Sequence, residues 1–172
     1  MEIICLANSY KNHDRCIAGI NLETGNWVRP VSDLDDGRIP LGNHRIMAEN
    51  INILDVLEIP INDRRSGHEI ENFHYHSDGS WQVVRKAEIT ELLSFREQAL
   101  LYSEYQKSIP FSYFKRRSPV KTLQLIEVKQ LECFQDERHK WRGIIHDNHY
   151  CVEDCYFSIT DPFILALSLI HI

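Results

Sequence analysis

Apolar residues recur at every second position through Arg15-Cys16-Ile17-Ala18-Gly19-Ile20-Asn21-Leu22 and again through Trp27-Val28-Arg29-Pro30-Val31, with Glu23-Thr24-Gly25-Asn26 between the two runs. A period-two pattern around a glycine-bearing turn reads as two antiparallel strands joined as a hairpin. An ordinary hairpin leaves small polar residues on its open face, whereas this one carries Arg15, Trp27 and Arg29. Strand geometry lets Trp27 and Arg29 share a face, and only the hairpin register decides whether Arg15 joins them.

The same reading extends along the chain. The run 2–7 holds Ile3, Ile4, Cys5 and Leu6, too continuous for a strand with one wet face, and is expected to be central. Residues 32–52 carry Asp33, Asp35, Asp36, Gly37, Pro40 and Gly42 and read as a loop with at most a short helix at 46–49. A strand at 54–61, ended by Pro60, a polar connection through 63–67 and a strand at 81–85 follow. Five short strands with no βαβ rhythm suggest a small barrel or sandwich over residues 1–87. From 88 to 105 the period changes, with Leu92, Phe95, Ala99 and Tyr102 at helical spacing, which predicts an amphipathic helix of about five turns. Pro110 and Pro119 bracket a looser connector, and strands are expected within 123–134, 139–145 and 150–160.

The chain has 172 residues, of which 43% are apolar, enough for a real core without staples. Glu2 and Asn8 interrupt the one candidate secretory leader, and the longest apolar run, 163–172, is well short of the ~20 residues that span a membrane. Five cysteines without regular spacing fit reduced thiols, so a cytosolic location is expected. A net charge of −6 argues against coating nucleic acid by bulk electrostatics. Locally the balance reverses: positions 115–142 hold eight Lys or Arg against four acids.

Taken together, Cys5-Leu6-Ala7-Asn8-Ser9, Arg15-Cys16-Ile17-Ala18-Gly19, Trp27-Val28-Arg29-Pro30-Val31-Ser32, Leu54-Asp55-Val56, Glu71-Asn72 and Ser158-Ile159-Thr160-Asp161-Pro162 occur in an order that resembles the dual OB-containing domain family of bacterial proteins. The resemblance implies a mostly β chain of two OB-like small β-barrels in tandem, and a nucleic-acid or nucleotide-binding role by analogy with what OB barrels commonly do. Relatives continue past the Asp-Pro pair, whereas only 163–172 follows it here, so the second unit is expected to be incomplete. The expected organisation is a first unit at 1–87, a helix and basic-aromatic connector at 88–119, and a partial second unit at 120–172.

OB-type sites hold single strands by stacking bases on aromatic rings beside a basic groove. Trp27 with Arg15 and Arg29 supplies one such set, and Lys11 in the preceding turn adds a phosphate contact. The alternative is a buried Trp27 with Arg29 paired to an acid such as Glu71. Tyr113-Phe114-Lys115-Arg116-Arg117 and Arg138-His139-Lys140-Trp141-Arg142 interleave basic and aromatic residues and would extend a groove, unless they are solvated loops whose long side chains cover apolar rings. Glu71-Asn72 offers hydrogen bonds to a base edge or ribose, or else ties a loop to the barrel. His146, His149, Cys151 and Cys155 are zinc-type ligands in no common spacing, so no metal is expected. Cys16 beside Arg15 reads as a core thiol, because alternation sends the two to opposite faces. No Walker-type loop, nucleophile elbow or His-Glu-x-x-His helix is present, so binding without a cofactor is expected over catalysis. The leading expectation is single-stranded RNA or DNA as partner. A sensor pocket for a nucleotide-like ligand coupled to an effector protein, or a protein-interaction module, are the alternatives.

Overall fold

Ile3 and Ile4 point to opposite faces of the first strand and both are fully buried, as the continuous apolar run predicts. The computed structural model describes residues 1–98, 101, 111–127, 130–145 and 157–158. The chain divides into two compact units, Met1–Phe95 with Ser118–Leu123, and Arg96–Arg117 with Gln124–Ile172.

The first unit is a seven-stranded sheet. Strands β1 (Glu2–Lys11), β2 (Asp14–Asn21), β3 (Trp27–Val31), β4 (Asp55–Glu58), β5 (Ile61–Arg65), β6 (Asn72–Tyr75) and β7 (Gln82–Lys86) lie in the order β5-β6-β3-β2-β1-β4-β7. All neighbours are antiparallel except β3 and β6, which run parallel with Arg29 opposite Asn72. β1 is therefore internal, flanked by β2 and β4. Its register against β2 slips between Cys5 and Ala7, a bulge of the kind that bends a strand and raises its twist. One face of the sheet wraps a core of Ile3, Cys5, Ile17, Val28, Leu57 and Ile59, closed by Tyr75 and Trp81 in an edge-to-face arrangement at 5.3 Å.

The predicted turn is built by one side chain. Asn21 Oδ1 accepts from the backbone N–H of Glu23 at 2.9 Å and of Thr24 at 2.7 Å, while the amide of Gly25 donates to the Asn21 carbonyl at 2.9 Å. Gly25 has φ +70°, a conformation open to glycine at little cost.

In the second unit β8 (Leu131–Gln135), β9 (Trp141–Ile145) and β10 (Phe157–Ser158) form an antiparallel sheet in the order β10-β9-β8. Asp136 organises the β8–β9 turn by accepting from the amides of Arg138 and Lys140, each at 2.9 Å. The short helix α1 spans Phe111–Arg117.

Three expectations need correcting. The five-turn helix at 88–105 is a 3-10 turn over Ile89–Phe95, followed by a β-bridge between Glu97 and Ile126. Helical stability comes mainly from burying an apolar face, and here Leu92 is buried while Ile89 and Leu93 are exposed; Ala99, Leu100 and Tyr102 lie outside the described residues. The connector between Pro110 and Pro119 contains α1. Lys115, Arg116 and Arg117 in its last turn complement the helix dipole. The polar connection expected at 63–67 overlaps edge strand β5 at Ile61–Arg65, where polar side chains are tolerated because the outer edge of the sheet meets solvent. Among the described residues no helix is long and apolar enough to cross a membrane.

Candidate functional site

The β2–β3 register separates the three residues of the opening hairpin. Gly19 lies opposite Val28 and Ile20 opposite Trp27, so Trp27 and Arg29 share a face with Ala18 and Cys16, while Arg15 shares the core face with Ile17 and Val28. Arg15 is only 9% exposed. Its guanidinium lies 4.1 Å from the centre of the Tyr10 ring, and its Nε and Nη1 have no hydrogen-bond partner. Cys16 and Arg15 do sit on opposite faces, but the order is inverted: the arginine faces the core and the half-buried thiol lines a surface cleft.

Half-buried Trp27 forms part of a cavity of about 360 Å³ whose wall includes Asn26, Arg65, Glu71, Phe73 and Lys121. Two crossings of the chain build it. The amide of Arg29 donates to the Glu71 carbonyl at 2.6 Å, which joins β3 to the residue before β6. The segment 118–123 lies against 68–71, with the Val120 amide donating to the His68 carbonyl at 2.8 Å and the Ile70 amide to the Val120 carbonyl at 2.9 Å. That docking brings Lys121 and Thr122, some fifty residues on in sequence, to Glu71. Glu71 is 1% exposed; its Oε1 accepts from the Thr122 amide at 2.9 Å and from the Thr122 hydroxyl, and its Oε2 has no partner and is sealed from solvent. The buried carboxylate thus shares the cavity wall with exposed Arg65 and half-buried Lys121. The guanidinium of Arg65 stands 4.8 Å from the centre of the Phe73 ring, with Nη1 donating to the Ile70 carbonyl at 2.6 Å.

Arg29 lines a separate cleft of about 220 Å³ with Lys11, Cys16, Asp36, Glu69 and Asn72. Its Nε donates to Asn72 Oδ1 at 2.6 Å and its Nη2 lies 3.5 Å from Glu69 Oε1, while Asn72 Nδ2 donates to Glu69 Oε2 at 3.0 Å. The arginine's acid is therefore Glu69 rather than Glu71. Lys11 Nζ donates to the Asp36 carbonyl. Partial desolvation pulls Asp36 upward, but hydrogen bonds from Asn12 and Arg38 outweigh it and hold the carboxyl at about 2. Asp14 is also lowered, first by the Leu41 amide and then by Arg38.

In the second unit Lys115, Arg116 and Arg117 are exposed on α1, and the Arg117 guanidinium lies 4.2 Å from the Tyr113 ring centre while donating to its hydroxyl. Arg138 and Lys140 are exposed in the β8–β9 turn; Trp141 and Arg142 are half-buried. Arg142 donates through Nε and Nη2 to Asp136 Oδ2 at 2.9 and 2.7 Å. The Lys140 amide, and then Arg142 and Arg138, hold the Asp136 carboxyl at about 2 against a smaller upward pull from desolvation. His146, His149, Cys151 and Cys155 lie outside the described residues, and among those described no cluster of three or more His, Cys, Asp or Glu is placed to hold a metal.

Of the residues singled out from sequence, Trp27 and Glu71 come together in one cavity, and Lys11, Arg29 and Asn72 meet in the other. Arg65, Phe73 and Lys121 escaped the sequence reading. Arg65 and Phe73 stand opposite each other across β5 and β6, strands whose polar composition hides them, and Lys121 arrives by a crossing that leaves no local pattern. No curated protein and no solved structure matches the chain. The family model described as dual OB-containing domain matches residues 1–168, and the chain belongs to that family.

Proposed function

We propose that this dual OB-containing chain is a binding module for single-stranded nucleic acid or a nucleotide, and that it admits one base to the cavity beside Trp27. The observation that carries the reading is the cavity itself. Its volume of about 360 Å³ lies at the lower end of small-ligand sites, and its wall combines a half-buried indole with polar and cationic side chains. Trp27 supplies the stacking surface, a contribution of about 1–3 kcal/mol per base in sites of this kind. Exposed Asn26 in the turn offers an amide group at the same wall.

Titration of a labelled oligonucleotide by anisotropy tests this. Trp27→Ala should weaken binding roughly 5- to 150-fold, the span of one stacking interaction, and Trp27→Leu, which keeps most of the volume, should weaken it similarly while melting like the parent. Undiminished affinity in a folded Trp27→Leu chain would defeat the proposal. A sensor for a free nucleotide coupled to an effector protein is the second reading. It is favoured by the Trp27 cavity and the Arg29 cleft having no lining residue in common. Stabilisation by a mononucleotide that persists in high salt, with no oligonucleotide binding, would select it.

A further inference from the structure

The cavity beside Trp27 carries its charges in a layered way. Arg65 is exposed and Lys121 half-buried, whereas the one carboxylate in the wall among the described residues, Glu71, is 1% exposed, committed through Oε1 to Thr122, and sealed from solvent at Oε2. A ligand entering from solvent meets Arg65 before the carboxylate. Arg65 is exposed, uses Nη1 on the Ile70 carbonyl, and has no partner for Nε or Nη2 among the described residues. Its guanidinium carbon lies over the Phe73 ring at 4.8 Å from the centre, and a guanidinium's planar fork of N–H groups matches the oxygens of a phosphate. Lys121 adds a point charge whose backbone is anchored by the Val120 hydrogen bonds on the neighbouring residue.

Resting on the base-pocket reading, we propose that the cavity selects a nucleotide bearing a terminal phosphate monoester, with its base at Trp27 and its phosphate at Arg65 and Lys121. A phosphate monoester carries about −1.5 to −2 charges at neutral pH and so gains more from nearby cations than an internal phosphodiester, which carries one, or a nucleoside, which carries none. The chemistry is shared by a free 5′-mononucleotide and by the phosphorylated end of a strand, so the test must separate these sources.

Calorimetric titration of the full chain in low salt with adenosine, AMP, inorganic phosphate, and a short oligonucleotide with either a 5′-phosphate or a 5′-hydroxyl does so. AMP should bind at least tenfold tighter than adenosine, and Lys121→Met should bring the two together. A matching gain for the 5′-phosphorylated oligonucleotide over its hydroxyl form identifies a strand end as a source; a gain confined to AMP identifies the free nucleotide. Equal affinity for AMP and adenosine overturns the inference and leaves the base pocket standing. Phosphate binding as tightly as AMP removes the base from the site and overturns both, as does failure of every nucleoside, nucleotide and oligonucleotide to bind. The comparison of AMP with adenosine uses the unaltered chain, so it decides even if Lys121→Met does not fold.

Discussion

Gly19 offers the sharpest test of how β1 and β2 are packed. It sits opposite Cys5, next to the bulge in β1, in the middle of the sheet. A Cβ built on it would lie 2.1 Å from the Ile4 carbonyl oxygen, 2.8 Å from the Ile4 carbonyl carbon and 3.2 Å from Ile3 Cδ1. Ordinary separation for such atoms is about 3.5 Å, so Gly19→Ala has to push two central strands roughly 1 Å apart. The obstacle is backbone, which cannot rotate away as a side-chain tip can, so the cost should fall at the upper end of overpacking, about 3 kcal/mol. For a chain of this size that lowers Tm by roughly 6–12 °C. Gly42 supplies the control. It has φ +72° with nothing within 4 Å of an added Cβ, so Gly42→Ala carries only left-handed strain, about 1 kcal/mol. Thermal unfolding of both variants, monitored by circular dichroism in one buffer, should rank Gly19→Ala well below Gly42→Ala. A Gly19→Ala chain melting within about 2 °C of the parent, a spread no larger than measurement scatter beside the expected shift, would refute the close approach of β1 to β2.

Most strands legible in the sequence are those whose burial is apolar. β1 to β4 are readable because Ile3, Ile17, Val28 and Leu57 must reach a core, and period two follows from that demand; β7 is exposed along its length and is readable instead from β-branched Val83 and Val84 after the Asp78-Gly79 turn. β5 and β6 are not. β6 reads Asn72-Phe73-His74-Tyr75, and it is held by a parallel ladder to β3 and by the Arg29–Asn72 hydrogen bond, interactions that require no hydrophobic pattern. The helix expected at 88–105 shows the reverse failure: Leu92, Phe95, Ala99 and Tyr102 have helical spacing, yet spacing measures only the opportunity to bury a face, and Ile89 and Leu93 remain in water. At the site, Trp27 is legible because a large ring beside a turn is conspicuous. Its partners are not, since the union of Glu71 with Thr122 depends on a crossing between segments some fifty residues apart.

Three further expectations follow from the charges. Replacing Lys115, Arg116 and Arg117 together with Ala should leave the Tm of the first unit unchanged, because all three are exposed on α1 of the second; in oligonucleotide titrations across salt the slope should fall by about one for each phosphate no longer neutralised, and an unchanged slope removes α1 from the interface. Asp36, Glu91 and Asp136 are each held at about 2 in the folded chain, Glu91 chiefly by Arg85. Folded values below the unfolded ones mean that their stabilisation is complete above the ordinary carboxylate range and is lost as pH falls toward about 2, so Tm should decline between about pH 5 and pH 2 and Arg85→Gln should flatten part of that decline in calorimetry. The last concerns Arg15, which the sequence groups with Trp27. Its Nε and Nη1 are buried without partners, a condition that costs stability, and its stacking on Tyr10 returns about 0.5–1 kcal/mol. Arg15→Met keeps the packing of the alkyl stem and removes the unsatisfied charge, and such replacements are often neutral or stabilising. The variant should therefore melt within a few degrees of the parent or above it. Because Arg15 projects from the face opposite Trp27, oligonucleotide affinity should also be unchanged; a folded Arg15→Met chain that no longer binds would place the ligand on the core side of the hairpin and overturn the assignment of the site to the Trp27 face.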